Sequence, residues 1–308
     1  MPVPPEPPRR VTAPAPTVEI ADRLTPGQAT GVVSLLDRLG ADGRPALNDG
    51  QAQALDDLLA GRDGAVAGLA GTGALEAYGQ LVRTGAGWEA AVVPARAEAA
   101  APVLARLVAE AAERGGGPVR WWATGAGEDS DRLAATLGMR EERTLLQLRC
   151  PLPLDTAAVG TGPALDVRPF DPGRDVGAWL DCNNRAFAGH PEQGGWDEAV
   201  FARRRAAPWF DPQDLLMAEE AGHLVGSCWT KLHPGPPVAG EIYVIGVDPR
   251  AQGRGIGRSL TVAGLAHLVE RGAVEGLLYV DAANRPARAL YASLGFTEHR
   301  RDRCYRTA

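Results

Sequence analysis

The run Gln252-Gly253-Arg254-Gly255-Ile256-Gly257-Arg258 lies between an apolar stretch, Ile242–Val247, and a segment in which Leu260, Leu265, Leu268 and Val269 recur at helical spacing. Strand, glycine turn and helix N-terminus together make an anion site. Free N–H groups and the positive end of the helix dipole converge there, and glycine leaves no Cβ to block approach. The spacing is not that of a P-loop, which needs G-x-x-x-x-G-K-[ST], and the alternate glycines do not meet the dinucleotide pattern G-x-G-x-x-G. Glu241, at the head of the preceding strand, offers a carboxylate that can act as a base directly or through a water. Lys231 is the only lysine among 32 basic residues. In a chain that writes arginine almost everywhere else, it marks a position where a compact ammonium can be wanted rather than a planar fork.

Each of these residues needs an element to hold it. Asp248-Pro249 ends the strand, because proline lacks the N–H a ladder requires and fixes its own φ. The second half of the chain reads as strands at Leu165–Pro169, Leu215–Glu220, Leu224–Lys231, Ile242–Val247, Leu277–Val280 and Thr297–Arg306. Helices are expected at Val176–Phe187, Asp197–Arg204, Ser259–Arg271 and Pro286–Leu294, the last opened by a proline at its first turn. The first half runs in a similar order. Val18–Leu39 and Ala46–Leu59 read as helical, Ala65–Ala70, Leu75–Val82 and Trp88–Val93 as strands, and Ala97–Arg114 as a helix. Val119–Thr124, Ser130–Leu137 and Thr144–Arg149 follow as strand, helix and strand.

The two halves match in detail. Trp122 stands fifteen residues before Leu137-Gly138-Met139, and Tyr279 fifteen before Leu294-Gly295-Phe296. This predicts an internal duplication: two α+β domains in tandem, each a mixed sheet flanked by helices. The expected boundaries are a proline-rich tail at 1–16, a first domain at 17–152, a linker at 153–163 and a second domain at 164–308. The copies differ in equipment. With Pro94 set against Pro249, Ala97, Ala100 and Pro102 stand where Gln252, Gly255 and Gly257 do, so the first copy is degenerate at the loop and is expected not to catalyse.

Read as Q/R-x-x-G-x-G/A through Gln252, Gly255 and Gly257, the loop resembles the pyrophosphate loop of the GNAT N-acetyltransferases, which hold acetyl-coenzyme A. Three longer stretches are similar to one family within them, mycothiol synthase. They are Asn183–Trp196 (N-N-R-A-F-A-G-H-P-E-Q-G-G-W), Trp229–His233 (W-T-K-L-H) and Gly240–Pro249 (G-E-I-Y-V-I-G-V-D-P). The resemblance is close over about residues 165–308 and faint before them. It implies acetyl transfer from acetyl-coenzyme A to the cysteinyl amine of a cysteinyl-glucosaminyl-inositol, the last step of mycothiol biosynthesis. It further implies cofactor contacts at Ile245, Gly246 and Val247, along Gln252, Gly253, Arg254, Gly255, Ile256, Gly257 and Arg258, and at Asn284, Arg285, Pro286, Ala287, Arg288 and Ala289. Tyr291, in N-x-x-A-x-x-x-Y-x-x-L-G-F, would protonate the departing sulfur, with Glu241 as the base. Asp49, Glu192, Lys231, Glu241 and Tyr279 would contact the substrate. The family pattern carries Glu where Asp49 stands here.

Composition narrows the alternatives. A net charge of −6 argues against a nucleic-acid partner and supports no polybasic membrane patch. No apolar run reaches the ~18 residues a membrane span needs, and the N-terminus has no signal-peptide core. The four cysteines and five histidines form no metal-ligand pattern, so no metal is expected. A monomer in the cytoplasm, where acetyl-coenzyme A is available, is the default expectation. Two other readings stay open: an N-acetyltransferase acting on an aminoglycoside, a peptide N-terminus or a polyamine, and an acyl-coenzyme A-binding sensor without turnover.

Overall fold

A computed structural model describes residues 17–40, 46–71, 74–85, 87–160, 162–163, 165–190 and 193–308. Contacts divide the chain into two compact units, one of Met1–Glu142 with Arg303–Ala308 and one of Arg143–Asp302. The division therefore does not fall at the 153–163 stretch read as a linker. A strand from each sequence copy belongs with the other unit.

The first unit holds β1 (Val18–Ala21), α1 (Pro26–Leu39), α2 (Asp49–Leu59), β2 (Ala65–Ala70), β3 (Ala77–Thr84), β4 (Gly87–Pro94), α3 (Ala100–Glu113), β5 (Val119–Ala123) and α4 (Glu128–Thr136). Its strands run β1-β2-β3-β4-β5, antiparallel except for β4 beside β5. The end of β12 (Thr297–Arg306) closes the order, Arg303–Arg306 pairing antiparallel with Arg120–Ala123. The expected helix at Val18–Leu39 is two elements. Thr25 caps α1 through its side chain and Gln28, and Pro26 suits the first turn, so the helix begins there. The residues before the cap extend instead and pair with β2.

The second unit comprises β6 (Arg140–Pro151) from Arg143 onward, α5 (Thr156–Val159), β7 (Asp166–Pro169), α6 (Val176–Ala186), α7 (Glu198–Arg205), β8 (Leu215–Glu220), β9 (His223–His233), β10 (Ala239–Val247), α8 (Ile256–Glu270), β11 (Glu275–Asp281) and α9 (Arg285–Ser293). Strand order is β7-β8-β9-β10-β11-β6, with β10 and β11 the parallel pair. Both sheet faces carry apolar cores. On one, Leu260, Leu265 and Leu268 of α8 and Tyr291 of α9 pack against Cys228, Ile242, Leu278 and Leu146. On the other, Trp179 of α6 and Phe201 of α7 pack against Trp229, Leu215 and Met217. Trp179 and Trp229 are fully buried, and the Trp179 indole N–H donates to Ser227 Oγ (3.0 Å), as a buried indole requires.

β9 and β10 both extend beyond the Leu224–Lys231 and Ile242–Val247 read from sequence. Glu241 therefore sits inside the ladder, and His233 closes it opposite Ala239. α8 lies close on the sheet: a Cβ on Gly264 would come within 2.5 Å of Cys228 Sγ and 2.8 Å of Ile242 Cδ1. Gly264→Ala is expected to destabilise the protein by roughly 1–2 kcal/mol, overpacking outweighing the gain in helix propensity. A urea titration in which the variant's midpoint equals or exceeds the parent's would contradict this packing.

Candidate active site

β10 pairs with β9 along its length but with β11 only from Ala239 to Ile242, opposite Glu275–Leu278. β11 then continues along β6 alone, with Tyr279 opposite Gln147 and Asp281 opposite Leu145. A bulge between Ile242 and Val244 bends β10 at the point of parting. From Tyr243 to Val247 the strand thus has one edge without a ladder partner among the described pairings. That edge includes Ile245, Gly246 and Val247. Unpaired strand backbone takes an extended ligand readily.

The glycine loop follows at the end of this slot. Asp248 Oδ1 accepts the N–H of Arg250 (3.0 Å), and its carboxylate pairs with the guanidinium groups of Arg250 (2.7 Å) and Arg185 (2.8 Å). The Arg250 bonds, then Arg185, hold this acid well below the usual carboxylate range despite its burial. After the single turn Pro249–Ala251, Gly253 and Gly255 take φ of 76° and 83°, a left-handed backbone that glycine enters without strain. α8 starts at Ile256, earlier than the Ser259 expected. Gly255 O accepts from the N–H groups of Arg258 and Ser259 (3.0 and 3.2 Å). The first-turn N–H groups before them have no residue one turn back to bond. A Cβ on Gly257 would make ordinary contact with Val247 Cγ2 at 3.7 Å, so the fold tolerates alanine there. The residues present fit a pyrophosphate-bearing ligand.

Several expected cofactor residues are already engaged. Arg254 pairs with Glu220 (2.8 Å), and Arg258 donates to Ser293 Oγ (2.7 Å) and to Val159 O (3.3 Å). Ser259 Oγ donates to Pro163 O (2.9 Å), so Val159 and Pro163, within the 153–163 stretch read as a linker, are tied to the start of α8. Asn284 caps α9 by accepting from Ala287 N (3.2 Å), with Arg285 and Pro286 in the first turn; Arg288 donates to Ala282 O (2.9 Å), and Ala289 lies one turn on. Tyr291 is buried against Phe296, and burial pushes its hydroxyl up to about 12. It also senses the Cys228 thiol, and Cys228 is the register partner of Ile245 in the slot.

The polar residues gather on the opposite sheet face. Lys231 and Glu241 are direct register partners, so their side chains share that face. The buried Glu241 carboxylate meets His233, Oε2 to Nε2 at 2.6 Å. The Lys231 ammonium lies 4.5 Å from the ring centre of Trp209 and 5.6 Å from that of Tyr243. Tyr279 OH accepts from Gln147 Nε2 (2.6 Å) and Arg300 Nη2 (2.9 Å), and Arg149 fixes that amide by donating to Gln147 Oε1 (3.0 Å). With its oxygen accepting two bonds, the phenol keeps its own hydrogen to donate. Burial raises the Tyr279 hydroxyl above its ordinary value against the pull of Arg300, and the Glu241 charge adds to the rise.

The structure thus brings Lys231, Glu241 and Tyr279 together. Asp49 opens α2 in the first unit, and its side chain lies outside the described residues, as does Glu192. Around Glu192, the two asparagines of the N-N motif act as staples. Asn183 Nδ2 donates to Gln193 O (2.9 Å), and Asn184 both donates to Trp196 O (2.8 Å) and accepts from its N–H (2.9 Å). Sequence reasoning missed His233, Gln147, Arg149 and Arg300. Only His233 had a local signal, two residues after Lys231 on the same strand and hence on the same face. The others need the pairing register.

The model of the acetyltransferase (GNAT) family matches residues 178–296. The mycothiol acetyltransferase of Thermomonospora curvata is 44% identical over 296 residues, covering 93% of this chain and 96% of its own. The chain belongs to the mycothiol acetyltransferase family. The relative of the same name from Salinispora arenicola is 42% identical over 283 residues, 90% of each chain. A GCN5-related N-acetyltransferase from Sphaerobacter thermophilus superposes with a TM-score of 0.70 at 21% identity, covering 94% of this chain and 95% of that one. A tandem GNAT protein from the clavulanic acid biosynthesis pathway does so at 0.66 and 14%, covering 94% and 98%. The fold is that of tandem GNAT domains. No described helix is long and apolar enough to cross a membrane.

Gly255→Ala forces a left-handed alanine and is expected to weaken coenzyme A binding about 5- to 30-fold, the equivalent of ~1–2 kcal/mol. Gly257→Ala should stay within about threefold of the parent, since its methyl has room. Equal losses for the two in isothermal titration would count against this cradle.

Proposed function

We propose that this protein moves the acetyl group of acetyl-coenzyme A onto the cysteinyl amine of a cysteinyl-glucosaminyl-inositol, completing mycothiol. The observation that carries the reading is the position of Glu241. It lies opposite Lys231, two residues before the strand edge that opens at Tyr243. The near full-length similarity to relatives named mycothiol acetyltransferase supports the choice of amine.

Acetyl-coenzyme A supplies the acetyl group as a thioester. The free edge of Ile245–Val247 would hold the pantetheine arm and offer N–H groups to the carbonyl oxygen, and the Gln252–Arg258 loop would take the pyrophosphate. Arg285–Ala289, at the start of α9, complete the cofactor contacts. Glu241 accepts a proton from the substrate ammonium, which frees the nitrogen lone pair to form the C–N bond. As the C–S bond breaks, Tyr291, neutral at physiological pH, donates its proton to the sulfur, while the nitrogen's second proton passes to solvent as the amide forms and solvent restores the phenol. Lys231 and Tyr279 donate to oxygens of the polyol, and Glu192 is assigned to its remaining contacts. The first unit does not catalyse in this reading. Its corresponding turn, Ala97–Ala99, runs straight into α3 with Ala99 in ordinary helical conformation, so it forms no left-handed cradle.

Mass spectrometry of the wild-type reaction should show a product one acetyl group heavier and stable to hydroxylamine, as an amide is and a thioester is not. Absence of product while coenzyme A still binds would overturn the proposed acceptor. Glu241→Gln and Tyr291→Phe should each lower kcat by ~10²–10⁴ with little change in coenzyme A affinity. Wild-type turnover in either variant removes that residue from its role.

A further inference from the structure

Along the strands, the polar face has an order. Tyr243–Val247 lines the slot, Glu241 pairs with Lys231 just before it, and His233 pairs with Ala239 two residues further back. At ~3.3 Å per residue, His233 stands about 7 Å behind Glu241's own level when measured along the strand from the slot. The carboxylate therefore lies between the imidazole and the place where acetyl transfer would occur. The contact is Oε2 to Nε2 at 2.6 Å, in the range of charge-assisted hydrogen bonds. A base must be ionised to take a proton, and an ionised carboxylate only accepts, so in that role Glu241 calls for the hydrogen on Nε2 with His233 as the donor.

From this geometry we infer that His233 is the positioning residue for Glu241. This rests on Glu241 being the base. A buried carboxylate with no fixed partner can turn its two oxygens about χ3. The Nε2–H bond ties Oε2 to the rear, and Oε1 is then the oxygen presented toward the substrate amine. The step balances simply: the amine's N–H bond breaks, its proton joins Oε1, and the Nε2–H···Oε2 bond persists through it. Among the described residues on this face, three make contacts with groups other than Glu241. Arg149 on β6 is paired with Glu275 of β11 (2.6 Å), Tyr279 of β11 is held by Gln147 and Arg300, and the Lys231 ammonium lies over the Trp209 and Tyr243 rings.

Two substitutions separate this role from a merely structural one. His233→Gln keeps an N–H donor of similar reach, whereas His233→Leu keeps bulk and removes the donor. The glutamine variant should retain kcat within about threefold, and the leucine variant should lose about 10- to 100-fold in kcat, the scale of a misplaced catalytic group. In both, the KM for acetyl-coenzyme A and the calorimetric affinity for coenzyme A should match wild type, which also shows that the variants fold. Wild-type kcat in the leucine variant, or equal losses in both variants with coenzyme A bound normally, would overturn the inference. A second readout needs no acceptor. Imidazole ¹⁵N spectra, assigned with His233→Gln, should show the Nε2–H tautomer with a downfield ring proton that disappears in Glu241→Gln; the Nδ1–H tautomer would overturn it. If wild-type protein fails to acetylate the cysteinyl substrate, the proposed acceptor falls while the spectra still decide the hydrogen bond.

Discussion

A parallel ladder that stops after four register pairs is the constraint on which the site depends. β10 and β11 pair from Ala239 to Ile242, then part. A strand interior normally satisfies its N–H and C=O groups on both sides, and leaving one side open costs stability unless water or a ligand fills it. The surrounding structure tolerates the opening because everything else about β10 is well anchored. β9 holds its other edge to Val247, apolar cores cover both faces, and Asp248 clamps the strand end to Arg185 and Arg250. Tyr291 belongs to the α8–α9 face and Glu241 to the other, so the proposed reaction would draw its base and its acid from opposite sides of the parted strands.

The charged residues show the same economy. A single guanidinium beside each exposed acid would contribute little, yet here the arginines form a lattice that fixes orientation. Arg149 aims the Gln147 amide, the amide and Arg300 fill the Tyr279 oxygen, and Asp302 steadies Arg300 (3.0 Å). The lone lysine takes a different part. Its ammonium sits among aromatic rings, a setting that suits a compact cation at the edge of an apolar cluster.

The duplicated architecture is less separable than a tandem repeat suggests. β6, from the first sequence copy, completes the sheet of the second unit beside β11, and the end of β12, from the second copy, completes that of the first beside β5. Each unit's sheet thus includes strand residues drawn from the other copy's sequence. Gln147 and Arg149, which organise Tyr279, reach the second unit by this route.

Local chemistry was legible in the sequence wherever a short segment dictates its own geometry. Gly253 and Gly255 had to be glycine because the turn needs positive φ, Pro249 had to end the strand, and the repeat of Leu-Gly-Met in Leu-Gly-Phe exposed the duplication. The spacing through Gln252, Gly255 and Gly257 carried the resemblance to a pyrophosphate loop, since a phosphate cradle is built from consecutive backbone groups. Tertiary structure decided what depends on pairing between distant strands. The parting of β10 from β11, the contact of His233 with Glu241, the network on Tyr279 and the exchange of β6 and β12 all follow from register. A period of two fixes which face a residue shares with its own strand, but not which residue of another strand will stand opposite.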